Sequence, residues 1–276
     1  MTTIVSALTP QTLESLRTDL RLIVGDSESL STSYSDSTMN QALNFSVQHY
    51  LRVTGKSYVQ NTLELTNGGE ATLPSAYIQV GRVGYGDPNS WLLQSSVTEE
   101  TNKNPLWESA VGTPKRWVMF DGQTVRVTPI PSNPSNETLV LGYVEEPTAM
   151  ADKRTITAIT LASSGVVTSA NHNFSVGRKV QFGDITTMTQ LNNQIGTITA
   201  TTTNTFTVDI NTTSYTAFGS GTGYAYDLVD PRVPITHQRF LKYAAAYWLL
   251  LIDGDTQSFQ GATAFMQQFM ELIKES

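Results

Sequence analysis

The 276-residue sequence contains no cysteine, which excludes disulfide bonds, thiolate metal sites and cysteine nucleophiles together. Histidine is almost as scarce. The three present, His49, His172 and His237, are far apart, and none has a metal-ligating partner three or four residues away. We expect His49 and His237 to be solvent-exposed on helices. The sequence therefore predicts no metal site and no cofactor.

Charged residues make up only 15% of the chain, and its formal net charge is -7. Such a chain is poorly suited to bind duplex DNA, because that affinity depends on Lys and Arg neutralising phosphates. Hydrophobic residues make up 39%, which argues against disorder. A surface with few charges and many hydroxyl and amide groups favours extended β structure and large assemblies.

The sequence also lacks a membrane-spanning run. The ten residues Tyr243–Ile252 are all apolar or aromatic, but a bilayer-spanning helix needs about 20. We therefore expect no membrane partner, and a helix that the rest of the chain covers on most sides. Asp253-Gly254-Asp255 predicts a tight turn after it, and the N-terminal residues predict no secretory signal. A second helix is predicted from an apolar stripe at Phe259, Ala262, Met266, Phe269, Met270 and Ile273.

Signals of catalysis are weak. The adjacent pairs Glu99-Glu100 and Glu145-Glu146 do not face each other on a helix or a strand. Two distant carboxylates at glycosidase spacing stay possible, so a hydrolase is a third hypothesis that a polysaccharide activity screen would settle. There is no Gly-x-Ser-x-Gly elbow and no Walker loop. The prediction is a protein that is not an enzyme, with no catalytic residue.

Aromatic residues are the other candidates for a binding function. Trp91, Trp107 and Trp117 are close in sequence within the predicted β region. Such rings serve a sugar-binding surface, a hydrophobic core or a subunit interface, and we favour core or interface.

Helical periodicity occurs at both ends of the chain. Thr9-Pro10 predicts the start of a first helix, and Asp36 or Ser37 that of a second. Gly25 and Gly55 are the expected stops. With the C-terminal pair, these helices predict a small bundle. The apolar stripes are Leu13, Leu16, Leu20 and Ile23 in the first helix, and Met39, Leu43, Val47, Tyr50 and Leu51 in the second.

The intervening chain changes to the two-residue period of β strands. Asn67-Gly68 and Asp121-Gly122 each predict a hairpin, and Gly81, Gly84 and Gly86 are interpreted as turns. These strands predict a small antiparallel sheet. From Thr155 to Tyr226 the chain is Thr-rich, and five or six short strands predict a small barrel or sandwich.

The predicted fold class is therefore α+β. A body formed by residues 1–154 and 227–276 combines the helical bundle with the antiparallel β section. Residues 155–226 form an all-β barrel domain inserted into it.

The ordered set of body segments resembles the head-to-tail adaptor proteins of tailed bacteriophages. It covers roughly Leu13–Pro147 and Pro234–Ile273. The resemblance implies a ring, commonly of twelve copies, that joins the portal to the tail and continues the DNA channel. The segments are Asn104-Pro105-Leu106-Trp107, Gly112-Thr113-Pro114, Pro129-Ile130-Pro131, Leu139–Tyr143 before Pro147, and the helix pair led by Pro234.

The insert resembles a small β-barrel module of phage structural proteins, which is similar to the first catalytic-cysteine half domain of ubiquitin-activating enzymes. This chain has no cysteine for such chemistry. The module's usual His-Gly is His172-Asn173 here, and Asn also tolerates the positive φ of a turn, so we expect His172 to be a turn residue. Other matching positions are Val166-Val167-Thr168, Gly177, Val180, Met188, Leu191-Asn192, Asn204–Val208, Tyr215, Phe218 and Gly221.

The leading hypothesis is a structural adaptor at the head-tail junction of a virion, assembled in the host cytoplasm. Its expected partners are further copies of itself, the portal protein and a tail or nozzle protein, while DNA passes through without specific binding. The alternative is a tail-fibre or baseplate component that binds a host-surface glycan, for which Tyr215 is the residue to test. The sequence identifies no interaction residues for the adaptor.

Overall fold

The computed structural model describes residues 9–25, 34–86, 90–134, 137–219, 221–253 and 256–274. Its helices and mostly antiparallel sheets confirm the α+β class. By its internal contacts the chain divides into two compact units, Met1–Leu51 with Thr148–Ser276, and Arg52–Pro147. The first unit contains the helices of both chain ends and the insert, and the second contains the β section. The division into a body and an inserted domain at 155–226 stays a prediction.

The N-terminal helices are α1 (Leu13–Val24) and α2 (Asp36–Val53). α1 begins later than predicted, because Thr12 rather than Thr9 is its cap. The Thr12 hydroxyl accepts a hydrogen bond from the Ser15 amide, and the Ser15 hydroxyl accepts one from the Thr12 amide. Gly25 ends α1 at a φ of 72°. The predicted stripes are confirmed, since their members are buried except for the partly buried Ile23.

The C-terminal helices are α4 (Ile235–Gln238), α5 (Leu241–Asp253) and α6 (Thr256–Lys274). α5 packs on α1 and α6, so the predicted bundle is confirmed. Its Leu241, Ala244 and Leu249 are fully buried. The cover extends to most sides of the helix as predicted, and of its described side chains only Leu251 and Ile252, in the last turn, are exposed. Gly254 and Asp255 of the predicted turn lie outside the described residues.

The insert forms one seven-stranded sheet in the order β8-β14-β11-β12-β13-β10-β9. The two edge strands, β8 and β9, are separated along the chain by only two residues, Ile156 and Thr157. The amides of these two residues form hydrogen bonds at opposite ends of the strand order. The Ile156 amide donates to Gly223 and the Thr157 amide to Thr168. The two ends of the strand order therefore lie close together. Its strands are β8 (Arg154–Thr155), β9 (Ala158–Ile159), β10 (Val166–Thr168), β11 (Lys179–Gly183), β12 (Ile195–Thr201), β13 (Thr205–Val208) and β14 (Tyr224–Asp227).

The second unit has two sheets where the sequence predicted one. The first has the order β1-β7-β3, and the second has the order β2-β6-β5-β4, in which β4 and β5 are parallel. Its helix α3 (Val97–Lys103) is capped by Ser96. The strands are β1 (Tyr58–Glu64), β2 (Glu70–Thr72), β3 (Tyr77–Tyr85), β4 (Leu93–Ser95), β5 (Arg116–Met119), β6 (Thr124–Thr128) and β7 (Thr138–Glu145).

The hairpin predicted at Asn67-Gly68 is wrong. A turn does form there, but β1 pairs with β7, which places Leu63 beside Leu139 in the buried core, while β2 pairs with β6. Burial of these apolar side chains outweighs the local turn signal. The hairpin at Asp121-Gly122 is confirmed, because it joins the antiparallel strands β5 and β6.

The interpretation of Gly81 and Gly84 as turn residues is also wrong, because both lie within β3. Gly81 makes room for an aromatic ring. A Cβ at this position would come within 2.8 Å of the Tyr58 ring. Only Gly86, at a φ of 67°, leaves the strand as expected.

Candidate functional site

The histidines are more buried than the sequence predicted. His237 is only 8% exposed, and its Nδ1 lies 2.5 Å from the hydroxyl of Tyr50 on α2. His49 is half-buried, and its ring lies 5.9 Å from the rings of Phe45 and Phe269. Both predictions of a solvated histidine are wrong, because helices from the opposite end of the chain cover these positions. Both residues belong to the helical core.

His172 lies beside a turn within the insert. Asn171 and Asn173 flank it at φ values of 49° and 57°, which fits the expected tolerance of Asn for a positive φ. The imidazole is 1% exposed. Its Nδ1 accepts a hydrogen bond from the Phe174 amide, and its Nε2 lies 3.1 Å from the Thr205 carbonyl. Both nitrogens are thus occupied by backbone groups.

The glutamate pair on α3 has a structural role. Glu100 is 4% exposed and accepts a hydrogen bond from the Ser95 hydroxyl, while Glu99 pairs with Lys103 one turn away. Among the described residues there is no cluster of three or more His, Asp and Glu side chains arranged to hold a metal ion. Nor does any described helix have the length and apolar character needed to cross a membrane.

The three tryptophans have different environments. Trp107 and Trp117 are buried, which agrees with the core interpretation. Trp91 is 36% exposed, and the Arg82 guanidinium lies 3.9 Å from its ring centroid. The same guanidinium lies 5.7 Å from the exposed ring of Tyr58. We call Tyr58, Arg82 and Trp91 the aromatic-arginine stack.

Large exposed apolar side chains are concentrated in the second unit. It comprises about a third of the chain but contains nine of the fifteen such side chains that the described residues expose, and the first unit contains six. Where such side chains form one contiguous patch, they mark an interaction site. The nine are Val53, Tyr58, Ile78, Trp91, Leu93, Val97, Leu106, Val111 and Phe120.

A cleft of about 560 Å³ lies in the first unit, between the start of α1 and the outer face of β11 and β14. Thr9, Gln11 and Ser15 line one wall, and Gln181, Asp184 and Tyr226 are on the other. The Tyr226 hydroxyl donates a hydrogen bond to Asp184 Oδ2 at 2.8 Å. Its burial first, and then this bond, raise the pKa of Tyr226, which keeps the phenol protonated and donating.

The sequence matches the family model of the SU10 adaptor protein over residues 11–168, more than half of the chain. The chain belongs to the SU10 adaptor protein family. A second family model, the FCCH domain of the ubiquitin-activating enzyme E1, matches residues 163–227. The insert is similar to that domain. No curated protein matches the chain.

Membership of the SU10 adaptor family identifies a structural bacteriophage protein that acts as an adaptor. It supports the expectations of a virion component that contacts portal and tail proteins and is not an enzyme. The helices α1 and α2 and the β section fall within the matched residues, whereas the C-terminal helices α4, α5 and α6 lie beyond them.

In this adaptor, a buried ion pair that the sequence did not reveal joins the insert to the segments that flank it. Arg178 is 5% exposed and Asp227 is 2% exposed. Arg178 Nη2 lies 2.9 Å from Asp227 Oδ1 and 2.5 Å from the Leu228 carbonyl oxygen. Asp227 Oδ2 accepts a hydrogen bond from the Ala151 amide. The pair therefore fixes the return of the chain from β14 against the segment that enters the insert.

A second carboxylate follows within the same return. Burial by itself raises the pKa of the Asp230 carboxyl, but hydrogen bonds from Arg232 outweigh burial and hold this pKa below its usual range. Arg232 donates from its amide, its Nε and its Nη2 at 2.9–3.0 Å. Next to it, the Val229 amide donates to the Gln11 carbonyl ahead of α1. The returning segment 227–232 thus contacts both the segment that enters the insert and the residues ahead of α1.

The sequence missed the residues of the cleft as well as this ion pair. The signals present were the turn-forming pairs Gly183-Asp184 and Asn192-Asn193, which were not singled out from other turns in the insert. Tyr215, which the glycan alternative singled out, lies outside the cleft lining. It packs partly buried on the insert core, and its hydroxyl accepts a hydrogen bond from Gln194.

Proposed function

We propose that this adaptor forms a homo-oligomeric ring, of twelve copies, that joins the portal to the tail and continues the DNA channel. The observation that carries the proposal is the SU10 adaptor family match over residues 11–168. A closed ring repeats one heterologous contact, so each copy offers two different surfaces to its neighbours.

The exposed apolar side chains of the second unit support this assembly. Trp, Tyr and Arg are the residue types that contribute most to binding energy at protein interfaces, and the aromatic-arginine stack presents one of each. We therefore infer that the stack lies at the contact between neighbouring copies. On the helices, exposed Leu251 and Ile252 offer a further apolar surface for the portal or a neighbouring copy.

The acidic character of the chain is consistent with a DNA channel. DNA has to slide through it, and a lining rich in Lys and Arg would bind the phosphates and retard it. The net charge of -7 fits a channel through which DNA slides. The proposal therefore requires no specific contact with DNA.

We also infer that residues 155–226 are an inserted domain. The insert core is formed by residues between Ile156 and Ala225, and the helical core contributes none of them. Thr155 pairs with Tyr224, so the two ends of the insert are neighbours, as domain insertion requires. A fragment of residues 150–230 should unfold cooperatively when followed by circular dichroism. A fragment without cooperative unfolding would show that the insert depends on the helices.

Electron microscopy of the purified chain, alone and mixed with portal rings, tests the assembly. We expect rings, and complexes in which each ring is seated on a portal. Light scattering should give the copy number. A chain that stays monomeric at high concentration and forms no complex with portal rings would refute the proposal.

Replacing the aromatic-arginine stack should weaken the ring. Each of the variants Trp91→Ala and Arg82→Ala should cost about 2 kcal/mol or more per subunit contact, as interface hot spots do. The concentration at which rings form, measured by light scattering, should rise accordingly. Val176→Ala, which removes an exposed apolar side chain of the first unit, is the control and should assemble normally. Normal assembly of both stack variants would place the contact elsewhere.

A further inference from the structure

The cleft beside α1 is built from side chains that the adaptor function does not use. Its volume of about 560 Å³ falls in the range of small-molecule sites, roughly 300–1,000 Å³. Four non-glycine residues of the described chain have a positive φ, and two of them, Asp184 and Asn193, line this cleft. Asn and Asp accept this backbone conformation in turns, and here it places both residues in the lining of the cleft.

The side chain of Asn192 connects the two turns that contain Asp184 and Asn193. Asn192 Oδ1 accepts a hydrogen bond from the Ile185 amide at 2.8 Å, and Asn192 Nδ2 donates one to the Ile185 carbonyl at 2.9 Å. The Asn193 amide also donates to the Phe182 carbonyl. The turns at 183–185 and 192–194 are therefore fixed to each other. This fixes the backbone at Asp184 and Asn193 before any ligand arrives, which lowers the entropy cost of binding.

Tyr226 adds a flat apolar surface with a polar end. Its ring lies against Gly183, where a Cβ would come within 3.0 Å of the ring. The Tyr226 hydroxyl donates a hydrogen bond to Asp184 Oδ2, while Asp184 Oδ1 has no hydrogen-bond partner within the described chain. Gln181 is the direct β-sheet partner of Tyr226, so the two side chains share one face of the sheet.

The chemistry of the lining defines the ligand. Asp184 is the one charged residue among the residues that line the cleft, and the others are mainly amides and hydroxyls. Amides and hydroxyls both donate and accept hydrogen bonds, as do the hydroxyls of a sugar ring. Phosphates and nucleic acid are disfavoured, because the lining has no Lys or Arg and contains a carboxylate.

We propose that this cleft binds a neutral hexose unit of a polysaccharide, with Asp184, Asn193 and Gln181 contacting its hydroxyls and Tyr226 its ring. Neither Gln181 nor Asn193 forms a side-chain hydrogen bond with another described residue, so both amides can bind the sugar. The cleft binds without hydrolysing. Glycoside hydrolysis requires two carboxyl groups about 5–10 Å apart, and the lining supplies one. Sugar binding in this cleft does not depend on ring formation. The glycan contact is expected at Tyr226, whereas the sequence suggested Tyr215.

Saturation-transfer difference NMR of the full chain with glucose, galactose, mannose and N-acetylglucosamine tests the proposal. At least one sugar should show transfer, with weak, millimolar affinity. Asp184→Gly and Asn193→Gly should each lower that affinity at least about tenfold. Glycine accepts a positive φ, so both variants remove the side chain without straining the fold.

Asn171→Gly is the matched control, since Asn171 also has a positive φ in the insert but lies outside the cleft. It should bind sugar like the unmodified chain. Absence of transfer from all four sugars would overturn the proposal, and so would equal binding by the two cleft variants and the control. Ring formation, followed in the same samples by light scattering, reports separately on the adaptor function.

Discussion

Ending the chain after Ile252 is expected to abolish folding and, with it, assembly. The deletion removes α6, whose Phe269 and Ala262 are fully buried and whose Phe265 and Met270 pack against the same core. Loss of one buried Phe side chain alone costs about 3–5 kcal/mol. The four side chains together therefore contribute an amount comparable with the whole stability of a typical domain, about 5–15 kcal/mol. Soluble expression and near-UV circular dichroism would measure the loss.

Point variants in α6 separate the core contribution from chain length. Phe269→Ala should lower the melting temperature by several degrees, while Gln268→Ala, on the exposed side of the same helix, should leave it unchanged. A chain ending at Ile252 that stayed soluble, melted cooperatively and formed rings would show that α6 is dispensable. The buried position of Phe269 also means that it is unavailable to the portal, in contrast to the exposed Leu251 and Ile252 of α5.

The helices could be predicted because their information is local. Leu13, Leu16 and Leu20 recur at helical spacing, and all three are buried on one face of α1. The end of α1 at Gly25 follows from the positive φ that glycine accepts. The start was misplaced by three residues, because Thr9 and Thr12 both fit a cap, and only the reciprocal bonds between Thr12 and Ser15 decide between them.

Strand pairing was beyond the sequence because its information is distant. β1 pairs with β7, about 80 residues later in the chain. No local feature near Asn67-Gly68 indicates that β7 is the partner. The same holds for His237, which looks exposed at the start of its helix and is covered by Tyr50 from the other end of the chain. Local signals describe one element, whereas burial depends on what the rest of the chain places beside it.

The cleft illustrates the same limit for a candidate site. Its walls come from the approach to α1, from β11, from the turn at 192–193 and from Tyr226, so no spacing rule connects them. The family resemblance, by contrast, could be recognised, because the order of the adaptor segments is a property of the sequence itself. Such a resemblance indicates the class of protein but not the positions of its contacts.

Asp227→Ala is expected to destabilise the first unit strongly. The substitution leaves the Arg178 guanidinium buried without its carboxylate and leaves the Ala151 amide without its acceptor. Removing one member of a buried ion pair costs about 3–5 kcal/mol. Urea denaturation followed by circular dichroism would measure it. The loss in the free energy of unfolding should be larger for the insert than for the helices.

The matched control is Asp152→Ala, which removes a half-exposed carboxylate 2.8 Å from Arg17 in the same unit. Solvent screens that pair, so its loss should cost less than about 1 kcal/mol. The double variant Arg178→Met with Asp227→Leu should recover much of the stability, because no unpaired charge remains buried. Equal losses in Asp227→Ala and Asp152→Ala would mean that the buried pair does not hold the insert to its flanking segments.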